Sequence, residues 1–151
     1  MGTRNLTIVN LDKKTRVAQY GQWDGYPTGQ GQTIADFLKT IDLPKFKKEL
    51  KKLREVIEGE IDFVNNTKDW QKEHPELSPD TGAGILEMIQ DGKVKFVSLD
   101  EDFKNDSLFC EYYYTLNLDK ETISVNGGKE YTFKQWTRTG LMEKLEENTT
   151  E

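Results

Sequence analysis

The chain has 151 residues, of which 34% are hydrophobic and 32% are charged, and its formal net charge is −6. This length fits one domain with a modest core, and the negative charge argues against nucleic acid as the main partner, since a phosphate backbone usually needs a basic face. No apolar run is long enough to span a membrane, and no signal-peptide core is visible, so we expect a cytoplasmic protein without a membrane partner. The single cysteine, Cys110, excludes an internal disulfide and a cysteine-based metal cluster, and no metal or cofactor is expected.

A β-hairpin is predicted at the start of the chain. Residues 6–9 alternate around β-branched side chains, residues 10–15 have turn composition, and residues 16–20 return as a second strand. The two open ends of a hairpin lie side by side. We therefore expect Arg4, which precedes the first strand, to lie beside residues 19–24, which follow the second.

Three helices are predicted between residues 33 and 92. Thr33 can cap a short helix, and Asp42 can cap a longer one whose apolar stripe continues to Ile57. Asp80 can cap a third helix over residues 81–90, which Gly92 ends. The lysines between residues 45 and 52 lie mainly opposite the apolar stripe, so we interpret them as a solvated helix face rather than a phosphate-binding patch.

Strands return in the second half of the chain. Residues 93–99, 109–118, 122–125 and 130–133 have strand patterns, residues 137–145 suit a closing helix, and residues 146–151 read as a frayed polar tail. The predicted fold is therefore a single α+β domain over residues 1–145. Its mostly antiparallel sheet comes from an N-terminal hairpin and a C-terminal meander, with about three helices between them. A two-sheet sandwich is the alternative.

Residues 19–31 form the most unusual segment, because four glycines, three glutamines, three aromatic residues and a proline fall within it. Glycine and proline interrupt regular structure, yet large rings on an irregular backbone are costly unless the fold packs them or a ligand uses them. We interpret the segment, with Arg4, as a binding surface for a small polar or nucleotide-like ligand. Its candidate ligand-binding residues are Arg4, Gln19, Gln22, Trp23, Asp24, Tyr26 and Gln30.

These side chains suit a planar or anionic ligand. An arginine offers a fork for phosphate or carboxylate, tryptophan and tyrosine offer stacking faces, and glutamine can pair with a base or amide edge. Gly29 and Gly31 before the predicted helix should also leave backbone N–H groups for an anion. The competing interpretation is that Trp23 and Tyr26 pack into one end of the core.

Two motifs, Gly2 to Thr7 and Gln19 to Gly31, resemble an uncharacterised family of small proteins in bacteria, their phages and fungi. Residues 111–119, an aromatic strand followed by a Leu-Asp turn, are similar to that family as well. The resemblance implies a common fold and a shared N-terminal site, and it brings no established activity. Its phage members suggest an accessory factor that sequesters a host signal.

Two other functions are kept as alternatives. Thr3 before a hairpin and a glycine-rich turn resembles the start of N-terminal-nucleophile amide hydrolases, but methionine removal stopping at Gly2 would leave Thr3 without a free α-amine as its base. No other base–nucleophile pair is visible, so no catalytic residue is assigned. The other alternative is a protein-binding inhibitor, or a homo-oligomer, that uses residues 112–114 and Trp136 as an aromatic interface.

Overall fold

A computed structural model of the chain describes residues 4–55, 81–94, 96–97 and 111–149. Its main sheet has five strands: β1 (Asn5–Leu11), β2 (Lys14–Gly21), β5 (Tyr112–Asn117), β6 (Thr122–Val125) and β7 (Glu130–Thr132). The strand order is β2-β1-β5-β6-β7, so the hairpin and the meander share one sheet. They meet through a parallel pairing of β1 with β5, whereas the other three pairings are antiparallel. The predicted α+β class and mostly antiparallel sheet are confirmed.

The sheet is buried on both faces around β1. Val9, Leu11 and the partner strand residue Leu116 belong to the main core, whereas Leu6 and Ile8 belong to a second buried cluster on the opposite face. Side chains alternate between faces along a strand, so β1 contributes to both clusters. The strand also extends beyond the predicted residues 6–9 at both ends.

Three α-helices lie between the hairpin and the meander in the described part of the chain: α1 (Gln32–Lys39), α2 (Leu43–Leu50) and α3 (Ile85–Gln90). Asp42 caps α2 as predicted, because its side chain accepts the backbone N–H of Lys45 at 3.2 Å. Gly92 follows α3 with a φ of +73°, as expected for a helix stop. Asp80 lies outside the described residues.

The boundaries of all three helices differ from the sequence prediction. α3 begins at Ile85, after a 3₁₀ turn over Gly82–Gly84, and not at residue 81. The expected cap of α1, Thr33, lies inside the helix, and its hydroxyl donates instead to the Gly29 carbonyl oxygen at 3.3 Å. The predicted extension of α2 towards Ile57 is wrong, since the helix ends at Leu50 and the chain forms the short strand β3 (Arg54–Glu55). β3 pairs in parallel with β4 (Phe96–Val97), a long-range partner that local periodicity cannot reveal.

The C-terminal part adds two helices, α4 (Phe133–Trp136) and α5 (Leu141–Thr149). Thr132 and Gln135 form a capping box that starts α4 directly after β7, and the sequence did not predict this short helix. The helix predicted over residues 137–145 begins later, at Leu141. α5 continues past the predicted start of the tail at residue 146. Among the described residues, no helix has the length and apolar character that a membrane span requires.

Candidate functional site

The glycine-rich segment forms a loop at one end of the sheet, residues 22–31, which we call the Trp23 loop. The β1–β2 ladder ends with Asn5 opposite Gly21, so Arg4 and Gln22 extend from neighbouring strand ends. The parallel partner β5 begins at the same end, where the backbone N–H of Glu111 donates to the Arg4 carbonyl oxygen at 3.0 Å. The strand register thus places the backbone of Arg4 beside the start of the Trp23 loop, as predicted.

Amide side chains hold the first part of the Trp23 loop. The carbonyl oxygen of Trp23 accepts two hydrogen bonds, from Asn5 Nδ2 at 3.1 Å and from Gln30 Nε2 at 2.9 Å. The other end of the same Gln30 amide accepts the backbone N–H of Ala83 at 2.8 Å, which ties the loop to the turn before α3. Both ends of the Gln30 amide therefore bond to backbone groups.

Two buried rings hold the rest of the loop from below. Tyr114 on β5 donates its hydroxyl to the Gly25 carbonyl oxygen at 2.6 Å, and Trp136 donates its indole N–H to the Gly31 carbonyl oxygen at 3.1 Å. Both side chains are 0% exposed, and their rings meet edge to face at 6.0 Å. Since buried carbonyl groups without partners are costly, these hydrogen bonds fix the loop path strongly.

The second half of the loop is a π-helical turn, Pro27–Gly31, that runs directly into α1. Within it the backbone N–H of Gly29 donates to the Tyr26 carbonyl oxygen, and that of Gln30 donates to the Asp24 carbonyl oxygen at 2.7 Å. A Cβ atom at Gly29 would overlap the Asp24 carbonyl oxygen, so only glycine fits there. The turn itself therefore uses the N–H group of Gly29, which the sequence analysis had assigned to an anion.

On this fixed backbone the Trp23 side chain points outward. It is 45% exposed and is the one exposed large hydrophobic side chain among the described residues. Beside it the exposed Asp24 adopts a φ of +54°, and its carboxylate accepts the Tyr26 hydroxyl at 2.9 Å. The result is an outward-facing indole next to an oriented carboxylate.

The structure separates the predicted ligand-binding residues by depth. Trp23 and Asp24 are exposed, whereas the other surface members are partly buried: Arg4, Gln22, Tyr26 and Gln30. Gln19 is only 3% exposed. It pairs with Thr7 in the β1–β2 register and lies on the sheet face that carries the main core. A ligand at the surface would thus reach Trp23 and Asp24 first, while Gln19 lies beneath.

Sequence reasoning missed Asn5 and Thr7. Together with Gln19 they are the buried polar side chains of the described residues, and they lie on the sheet face that carries the main core. Gly82 lies close to Gly21, the strand partner of Asn5. The Thr7 hydroxyl has no hydrogen-bond partner in the described part of the chain. The available signal was that Asn5 and Thr7 lie two positions apart at the start of the strand, since residues at this spacing share one face.

The aromatic residues of the proposed protein interface do not form one surface. Tyr114 and Trp136 are buried in the main core, Tyr112 packs against that core, and Tyr113 packs against the cluster on the other face. Thr3, the proposed nucleophile, lies outside the described residues. No group of three or more His, Cys, Asp or Glu side chains within the described ranges could hold a metal ion.

Comparisons of the chain with protein-family models, with curated proteins and with solved structures give no significant match.

Proposed function

We propose that the protein binds a small nucleotide-like ligand, with a planar ring and an anionic group, at the outer surface of the Trp23 loop. The exposed Trp23 indole carries the proposal, because it offers solvent a planar aromatic face on which the ring of a ligand can stack. It would stack on the ring of the ligand. The Asp24 carboxylate and the Gln22 amide would pair with polar groups at the ring edge.

The fixed backbone supports a binding role. The carbonyl groups of four consecutive residues, from Trp23 to Tyr26, each accept a hydrogen bond. Side chains donate to those of Trp23 and Gly25, and backbone N–H groups of the loop donate to the other two. A surface that is already held in one conformation loses little entropy when a ligand binds, and this improves affinity. Gln30 and Tyr114 then contribute by positioning the loop, without touching the ligand.

Arg4 supplies the positive charge for the anionic group. It directly precedes Asn5, whose side chain donates to the Trp23 carbonyl oxygen, so the guanidinium belongs to the same end of the sheet. Arginine suits phosphate or carboxylate because its N–H groups form a planar fork.

The test uses adenosine monophosphate as the probe and assigned two-dimensional amide NMR spectra of the full chain. We expect concentration-dependent shifts at residues 22–25 and at the indole N–H of Trp23, with affinity lost in the Arg4→Gln variant. The matched control Arg138→Gln removes an equally charged, exposed side chain elsewhere. Spectra that stay unchanged at these positions up to about 10 mM probe would contradict the proposal.

Sequestration, rather than turnover, is the role that this site suggests. The described loop offers a stacking face and hydrogen-bonding groups but no base–nucleophile pair, and the family that the sequence resembles includes phage proteins. Adenosine monophosphate incubated with the protein should therefore be recovered intact by chromatography. Product in excess of the protein would show turnover of the nucleotide and contradict a role in sequestration.

A further inference from the structure

A second concave surface lies at the opposite end of the parallel strand pair, about 17 Å from the Trp23 loop by strand length. It is a groove of about 510 Å³ that we call the lysine groove. The turn between β1 and β2 and the turn between β5 and β6 form its walls. Its lining residues are Asn10, Lys13, Thr15, Asn117, Asp119 and Lys120.

Charged hydrogen bonds lock the two turns together. The Asp119 carboxylate accepts the backbone N–H groups of Asp12 and Lys13, each at 2.9 Å. The side-chain oxygen of Asn117 accepts the N–H groups of Asp119 and Lys120 at 3.0 and 3.1 Å. The groove is therefore built before any ligand arrives, and its one lining carboxylate is already occupied by backbone donors.

Cations outnumber carboxylates around this groove, although the whole chain is negative. Lys13 and Lys120 line it, and the charge of Lys47 on α2 helps to lower the pKa of Asp119. Lys51 and Arg16 lie 4.0 and 3.5 Å from Asp12, and Glu130 lies 4.0 Å from Lys120. We interpreted the α2 lysines from the sequence as a solvated helix face. In the structure Lys47 and Lys51 lie near the same two turns as Lys13 and Lys120.

The neutral part of the lining suits hydroxyl groups. Thr15, Asn10 and Asn117 occupy matched register positions on three neighbouring strands, so they form one polar row across the sheet. The side-chain oxygen of Asn10 is buried and has no hydrogen-bond partner in the described part of the chain. Rotation of the amide would present either its donor or its acceptor to the groove.

We propose that the lysine groove binds a small hydroxylated phosphate ester, with Lys13 and Lys120 on the phosphate and the Thr15–Asn10–Asn117 row on the hydroxyl groups. Lysine is a point charge on a flexible stem and suits a tetrahedral phosphate, whereas planar carboxylates favour the arginine fork. The groove volume also falls within the range of small-molecule sites. This site is independent of the Trp23 loop.

Ribose 5-phosphate is the probe for this proposal. In amide NMR titrations of the full chain we expect shifts at residues 10–15 and 117–120, and none at residues 22–25. Replacing both lysines, Lys13→Gln with Lys120→Gln, should weaken binding about tenfold or more, because each removes a charge-assisted contact. The control pair Lys93→Gln with Lys134→Gln has the same net charge and should bind as the wild type does.

The single variant Lys120→Gln, at a position where the side chain is 65% exposed, keeps the test valid if the double variant does not fold. No shift at the groove, or equal affinity in the groove and control variants, would overturn the proposal. Inorganic phosphate that binds as tightly as ribose 5-phosphate would overturn the role of the polar row. If ribose 5-phosphate shifts only the amide signals of residues 22–25, it binds at the Trp23 loop, and the proposed site in the lysine groove is contradicted.

Discussion

The two ends of the β1–β5 strand pair both carry a hydrogen-bonded turn, but they are held in different ways. At the Trp23 loop, neutral donors such as Tyr114 and Trp136 are buried and donate to backbone carbonyl groups. At the lysine groove, the exposed carboxylate of Asp119 accepts backbone N–H groups. Buried neutral bonds are expensive to break and insensitive to salt, whereas exposed charged ones are cheap to break and respond to pH and salt.

The largest effect is expected at Tyr114. The Tyr114→Phe variant leaves the buried Gly25 carbonyl group without its 2.6 Å partner, so we expect a loss of about 1–3 kcal/mol in the free energy of unfolding. Urea unfolding measures it. Tyr113→Phe is the control, since Tyr113 lies on the other sheet face, and its effect should stay below about 0.5 kcal/mol. Equal losses in the two variants would mean that the buried bond does not hold the loop.

A smaller loss is expected from Gln30→Ala, about 1–2 kcal/mol, because both ends of this amide bond the backbone but the side chain is only partly buried. Gln32→Ala removes an amide that bonds only the exposed Asp36 side chain, so it should change stability little. Amide exchange at residues 23–26 should accelerate in the first variant alone. Unchanged exchange in Gln30→Ala would show that the ring contacts suffice to fix the loop.

At the lysine groove the expected effect depends on pH. The N–H groups of Lys13 and Asp12, followed by the Lys47 and Lys13 charges, hold the pKa of Asp119 below its ordinary value of 3.8. A depressed folded-state pKa stabilises the fold above the unfolded-state pKa, and this contribution disappears as pH falls through the folded-state value.

The Asp119→Asn variant should therefore be less stable than the wild type at neutral pH, and the gap should close as the pH falls below 3.8, through the lowered folded-state pKa of Asp119. Urea unfolding at a series of pH values measures the gap. Asp91→Asn, at an exposed position after α3, is the control and should show no such convergence. A gap that stays constant into acid would contradict the role of the Asp119 charge.

The difference between the two ends also explains what the sequence could predict. Local patterns gave the hairpin, the Asp42 cap, the Gly92 stop and the class of the fold, because each depends on neighbours in the chain. The α2 boundary was wrong because β3 finds its partner about forty residues away, at β4. Composition identified the Trp23 loop as unusual, and the register of the hairpin placed Arg4 beside it.

The hydrogen bonds that hold the Trp23 loop could not be predicted, because their donors are distant in the chain. Tyr114 and Trp136 lie far from the loop in sequence, and only the folded sheet brings their donors to Gly25 and Gly31. The aromatic run therefore looked as much like an interface as like a core. Likewise, Asp119 meets the β1–β2 turn only through the parallel pairing of β1 with β5.

The central claim is that Trp23 faces a ligand while the backbone beneath it belongs to the fold. Its most direct test compares adenosine monophosphate affinity and unfolding free energy in one variant, Trp23→Leu. The account predicts that binding falls at least about tenfold while stability changes by less than about 1 kcal/mol, because Trp23 is 45% exposed and leucine keeps an apolar side chain on its covered side. Retained binding, or a stability loss of several kcal/mol, would instead make Trp23 a plug of the core and contradict the account.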